Sequence, residues 1–188
     1  MSTNRQSSPP NPERMSDFCF RGMVFVMKIE DFFWRRIDAR VQTFGIRFGM
    51  TVVDYGCGPG RYTTRFARLV GEGGRVYALD VHELAVQEVQ KVAVRLGLRN
   101  VTAVLARGYD STLPAGIADM VCCLDMFFGV REPTTLLTEL KRIAKPDGVL
   151  IIDDGHQPRS ATLGKIRSSG QWAIAAETRD HLTCKPIS

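Results

Sequence analysis

The sequence predicts an α/β fold in which a doubly wound, mostly parallel sheet carries helices on both faces. Three observations predict it. The run Val52-Val53 ends in Asp54 and is followed by Gly56, Gly58 and Gly60 at alternate positions, the pattern of a strand, a tight glycine turn and a helix. A second apolar run, Val76-Tyr77-Ala78-Leu79, ends in Asp80, twenty residues beyond Gly60. Short apolar runs then alternate with stretches of helical periodicity, which means parallel strands joined by right-handed crossovers.

The elements follow in order. Residues 1–14 are rich in Ser, Pro, Asn and Gln and are expected to form a disordered tail, leaving 15–188 as a single domain. Phe25, Ile29, Phe32, Phe33, Ile37, Val41 and Phe44 recur at three- and four-residue steps and predict a helical lead over about 23–45. Tyr62 to Val70 is the first crossover helix, stopped by Gly71, Gly73 and Gly74. His82 to Leu96 is the second, with Ala85, Val89, Val92, Ala93 and Leu96 on one face and Gly97 as its stop. Val101 to Ala106 and Ala118 to Leu124 are the third and fourth strands, the latter apolar enough after Asp119 to be covered on both sides. Pro133 opens a helix whose Leu136, Leu137, Leu140 and Ile143 share a face, and Pro146 and Gly148 break it. Val149 to Ile152 is the fifth strand and ends in Asp153 and Asp154. A short helix from Ser160 to Arg167 and strands near Trp172 to Ala176 and Leu182 to Lys185 complete the chain.

Composition narrows the class. With 188 residues, 44% of them hydrophobic, one core is affordable and two full domains are not. The net charge of +5 is modest, and the segment from Gly155 carries five basic residues against two acidic ones with Trp172 as its only aromatic. Nucleic-acid binding calls for clustered basic residues with stacking aromatics, so a solvated surface is the expectation. The apolar patch Phe18 to Ile29 is too short for a bilayer and is interrupted by Arg21 and Lys28. Cys19, Cys57, Cys122, Cys123 and Cys184 make no C-x-x-C pair, and no secretory leader is expected. Reduced, buried thiols in a cytoplasmic protein are expected.

The spacing then distinguishes between nucleosides. A carboxylate at a strand tip twenty residues past a glycine turn suits a ribose. A dinucleotide fingerprint needs a small residue five positions after the first glycine, where this chain has Arg61. Asp54, two before the first glycine, would repel a pyrophosphate but suits a ligand with an ammonium group.

Asp54-Tyr-Gly-Cys-Gly-Pro-Gly60 with Leu79-Asp80 resembles motifs I and II of the class I S-adenosylmethionine-dependent methyltransferases. The resemblance runs from about Gly45 to Asp154, through Leu113-Pro114, the strand Asp119 to Leu124 and Leu140 to Gly148, and is strongest to the type-11, UbiE-like group. It implies a Rossmann-like sheet of order 3-2-1-4-5-7-6 with an antiparallel last strand. It also implies S-adenosylmethionine as methyl donor, S-adenosylhomocysteine as product and a small-molecule acceptor. The resemblance assigns Asp54 to the methionine end, Gly56, Cys57, Gly58 and Gly60 to the turn beneath the cofactor, Asp80 to the ribose and Val81 to the adenine. For Asp54 and Asp80 the alternative is a turn or capping carboxylate. The adenine amino group falls to Asp110 or to the backbone of Gly108 and Tyr109. Tyr55 and Arg61 are expected to serve packing and surface.

In-line methyl transfer needs positioning more than a fixed base, so the catalytic residues stay open. His156, in Asp153-Asp154-Gly155-His156, is either a base or a structural hydrogen-bonding group. Asp125 either orients acceptor or methionine, or caps a helix. Two adjacent carboxylates and one histidine are an incomplete metal set, so no metal is expected. The leading helix either helps close the cofactor mouth or packs on the sheet. Only 34 residues follow Asp154, so the acceptor is compact and held by that helix, or a second subunit of a homodimer completes the pocket. The rival functions are a methyltransferase-like partner subunit, with or without cofactor, and a nicotinamide oxidoreductase.

Overall fold

The structure is a computed structural model and describes residues 14–22, 24 and 36–187. The expected tail and most of the apolar stripe from Phe25 to Phe33 lie outside the described residues. Seven strands form one sheet: β1 Thr51–Tyr55, β2 Arg75–Asp80, β3 Val101–Leu105, β4 Ala118–Cys123, β5 Ala144–Ile152, β6 Trp172–Glu177 and β7 Leu182–Pro186. Their order is β3-β2-β1-β4-β5-β7-β6. Strands β1 to β5 pair in parallel, and β7 runs antiparallel to both β5 and β6. This is the predicted order and the predicted antiparallel strand.

The two-residue period of a strand divides the core in two. Val52 packs with Phe66, Val70 and Met120 on one face of the sheet, and Val53 packs with Leu137, Val121 and Ile152 on the other. The first face is covered by the helices α1 Arg36–Gln42, α2 Thr63–Val70 and α3 Glu83–Arg95. The second is covered by α4 Pro133–Ile143 and α5 Arg159–Ser169. The predicted face of α4 is the buried one: Leu136, Leu137, Leu140 and Ile143 are fully enclosed, each contributing about 1.5–3 kcal/mol of transfer free energy.

Several boundaries differ from expectation. The helical lead ends at Gln42, not near 45, because Gly45 takes a φ of 78° that turns the chain toward β1. Pro146 and Gly148, read as breakers ahead of a strand at Val149, lie within β5. Ala144 pairs with Ala118, the chain bulges, and Val149 rejoins opposite Met120. A Cβ at Gly148 would stand 2.9 Å from the Lys145 carbonyl oxygen, so glycine is needed in the bulge. Of the five cysteines, all free, four are buried as expected and Cys19 is exposed. Among the described residues no helix is long and apolar enough to cross a membrane.

Candidate functional site

The strand order reverses between β1 and β4, and in open α/β sheets the crevice beyond the carboxyl ends at that point takes the ligand. A mainly apolar cleft of 350 Å³ opens there. Its floor is the glycine turn. The N–H groups of Gly56 and Cys57 both donate to the Leu79 carbonyl at 2.8 Å, tying the turn to the end of β2. Gly58 N–H donates to Asp80 Oδ2 at 2.9 Å, and His82 N–H donates to Asp80 Oδ1 at 2.8 Å. One carboxylate thus fixes the turn with one oxygen and starts α3 with the other. Burial pushes the Asp80 pKa up, against the opposing pull of these two N–H groups.

The three glycines have φ of 76°, 51° and 88° and serve different ends. A Cβ on Gly56 would meet Met126 Cγ at 2.8 Å, and one on Gly60 would meet Val89 Cγ2 at 3.1 Å. A Cβ on Gly58 meets nothing within 4 Å, which leaves that backbone open to the cleft.

Of the residues singled out from the sequence, Gly56, Cys57, Gly58, Asp80, Val81, Gly108, Tyr109 and Asp125 line this cleft. Asp54, Gly60 and Asp110 are not in the lining. Asp54 lies buried beneath the turn, where its Oδ2 accepts the Thr63 hydroxyl at 2.5 Å. Burial pushes its carboxyl up to about 7, opposed by that bond from Thr63. Asp110 is exposed and turned onto the Thr112 N–H at 2.8 Å, while the adjacent Gly108 and Tyr109 reach the cleft. His156 is exposed, stands edge-on to Phe128 at 4.9 Å and borders neither this cleft nor its polar neighbour. Among the described residues no cluster of His, Cys, Asp and Glu is arranged to hold a metal.

Tyr55 packs in the core as expected, yet it and Arg61 also line the cleft, and the Tyr55 hydroxyl donates to the Tyr109 carbonyl at 2.8 Å. Their position beside the glycine turn was the available signal. Phe20 and His82 also line it, with rings stacked at 4.4 Å.

At the edge of the cleft, Asp125 is fixed in a polar network. It has a φ of 56°, uncommon for a residue with a side chain. It caps no helix: its Oδ2 accepts the Tyr62 hydroxyl at 2.8 Å. Tyr62 Oη in turn accepts Arg40 Nη1 at 2.8 Å, and Arg40 Nη2 donates to Asp153 Oδ2 at 2.5 Å. Asp153 Oδ1 closes the ring by accepting the Asp125 N–H at 2.9 Å. Burial works against the Arg40 charge, yet Tyr62, Asp153 and Asp125 outweigh it and hold the guanidinium above its ordinary pKa. Asp153 is pushed up to about 6, first by burial and then by the Asp125 charge, with Arg40 opposing.

Comparison with known proteins agrees with this architecture. Residues 46–182 match the family model described as a methyltransferase domain. The chain belongs to that family, and its fold is that of the class I S-adenosylmethionine-dependent methyltransferases. It is 31% identical over 136 residues to a ubiquinone/menaquinone biosynthesis C-methyltransferase, UbiE, of Escherichia coli, covering 70% of this chain and 52% of the relative. The chain therefore spans about half the length of the curated relatives it matches. Among solved structures it is similar to a SAM-dependent methyltransferase from Aquifex aeolicus, with a TM-score of 0.73, 28% identity and coverage of 80% of this chain and 89% of that one. The [4+2]-cyclase SpnF shares the fold at a TM-score of 0.65 and 20% identity, over 75% of this chain and 57% of its own.

Proposed function

We propose that this protein is a cytoplasmic S-adenosylmethionine-dependent methyltransferase that transfers a methyl group to a small-molecule acceptor. The observation that carries the reading is the Asp80 carboxylate at the rim of an apolar cleft, with Gly58 held open beside it. A carboxylate offers about four lone-pair sites, and two of them are taken by the N–H groups of Gly58 and His82. The remaining two suit the paired hydroxyls of a ribose. The open Cβ position at Gly58 and a volume of 350 Å³, within the usual range for ligand pockets, fit a nucleoside with a short chain.

Residue roles follow from position. Asp80 would hold the ribose, Val81 and the backbone of Gly108 and Tyr109 the adenine, and Gly56, Cys57 and Gly58 the amino-acid chain. Asp54 and Gly60 would act from beneath the turn, Asp54 as a carboxyl that ionises when the ligand's ammonium sits above it and Gly60 by admitting α3. When bound, S-adenosylmethionine supplies an electrophilic methyl on sulfur. The protein's part is to align the acceptor with it and exclude competing water. Cytoplasmic location is supported by five cysteines without a disulfide.

Calorimetric titration tests the reading. S-adenosylhomocysteine should give a saturable heat and raise the melting temperature, and NAD should do neither. No response to S-adenosylhomocysteine would leave a scaffold, and stabilisation by NAD alone would point to an oxidoreductase.

A further inference from the structure

A second cavity, of 780 Å³, adjoins the cleft and shares Arg61, Tyr62 and Asp125 with it. Its other walls include Arg40 and Thr43 from α1, Asp153 and Asp154 after β5, and Asp180 before β7. Resting on the methyltransferase reading, we propose that this cavity holds the methyl acceptor, and that the acceptor is a compact polar molecule whose amine or hydroxyl donates a hydrogen bond to Asp125.

Three observations carry the proposal. Asp125 is the carboxylate that borders both spaces, so a group bonded to it stands at the junction where a methyl group must pass. It is also available: its side chain is 38% exposed against 4% for Asp153, which Arg40 has already claimed. And it is held still. Its backbone N–H is bound to Asp153 Oδ1 at 2.9 Å, Tyr62 fixes Oδ2 at 2.8 Å, and Arg40 Nη1 lies 3.6 Å from Oδ1. Preorganisation of this kind is what a group that orients a nucleophile requires.

The lining limits the acceptor's chemistry. A long hydrocarbon substituent in this cavity would strip water from Asp180 and from the exposed parts of Arg40 and Asp154, which have protein partners as well, without replacing those water hydrogen bonds, which is costly. A polar acceptor replaces them. In the step, the acceptor's lone pair forms the bond to the methyl carbon as the carbon–sulfur bond yields its electron pair to sulfur. The proton of the acceptor's N–H or O–H passes to Asp125 and then to water. One proton is released for each methyl moved, and the sulfur leaves as a neutral thioether. Asp125 touches the acceptor in this scheme, and Tyr62 and Arg40 are positioning residues.

The test uses the full-length protein, tritium-labelled S-adenosylmethionine and a metabolite extract of the cells that make the protein, afterwards partitioned between water and chloroform. Label should appear in a water-soluble product. Asp125→Asn should lower transfer about a hundredfold or more and should recover part of it as the pH is raised, because the acceptor's own deprotonation then replaces the carboxylate. Its affinity for S-adenosylhomocysteine by calorimetry should stay within about threefold of the wild type. Label in a chloroform-soluble product, or transfer into neither fraction by a protein that binds S-adenosylhomocysteine, would overturn the proposal. So would a larger affinity loss, which would assign Asp125 to the cofactor. Failure of the wild type to bind S-adenosylhomocysteine would sink the methyltransferase reading itself, and the acceptor site with it.

Discussion

Asp80 accepts the Gly58 N–H at 2.9 Å, so that a strand tip and a turn 22 residues apart in the chain are locked into one rim. The same carboxylate accepts the His82 N–H. Binding and local stability are therefore coupled at this residue.

Asp80→Ala should weaken S-adenosylhomocysteine binding by about tenfold or more, the scale of a lost charge-assisted hydrogen bond. It should also destabilise the ligand-free protein by about 1–3 kcal/mol, since two N–H groups lose their acceptor. Asp80→Asn keeps one carbonyl oxygen and should cost less on both counts. Titration and urea unfolding of the two variants measure this; equal affinity in wild type and Asp80→Ala would remove the ribose assignment.

The glycines separate folding from binding. Gly58→Leu meets no protein atom at its Cβ and carries only the strain of a left-handed backbone, about 1–2 kcal/mol, so it should fold and fail to bind S-adenosylhomocysteine. Gly56→Ala drives a Cβ to 2.8 Å from Met126 Cγ and should show the larger loss of melting temperature. Full binding by Gly58→Leu would show that the ligand does not approach this backbone.

Much of this was legible because it is local. The strand tips Asp54 and Asp80 and the turn between Gly56 and Gly60 lie in continuous stretches whose composition dictates their backbone. The buried face of α4 was legible for the same reason, as a period of 3.6 leaves Leu136, Leu140 and Ile143 in line. The ring formed by Arg40, Tyr62, Asp125 and Asp153 was not legible. Arg40 and Asp153 are 113 residues apart, and only the sheet order brings α1 over the ends of β4 and β5. Nothing near Arg40 in the sequence signals its partner. The bulge in β5 escaped notice because Pro146 and Gly148 are ordinary breakers until the pairing of Ala118 with Ala144 is known.

That ring gives a stability prediction. Arg40→Met leaves the Asp153 carboxylate buried without its counter-ion and should cost about 3–5 kcal/mol near pH 8. At pH 5 the loss should be smaller, because Asp153 without Arg40 takes up a proton more readily. Urea unfolding at the two pH values decides it, and an equal cost at both would mean that Arg40 acts by packing alone.

Asp54 gives a second pH dependence with a definite sign. Its folded-state pKa of about 7 lies above the ordinary carboxylate value, so its contribution to stability is complete below about pH 4. That contribution is lost as pH rises through about 7. Asp54→Asn imitates the protonated form. The ligand-free variant should match the wild type near pH 4 and exceed it in melting temperature by a growing margin up to about pH 7. A margin that does not change with pH would show that Asp54 is not held protonated by its burial.

A crystal structure with saturating S-adenosylhomocysteine would show whether Asp80 and the bend at Gly58 make a nucleoside cradle. Ribose hydroxyls should be hydrogen-bonded to Asp80, and the amino-acid chain should pass over Gly58. Ligand bound elsewhere, or a cleft closed by the protein's own side chains, would contradict the cradle.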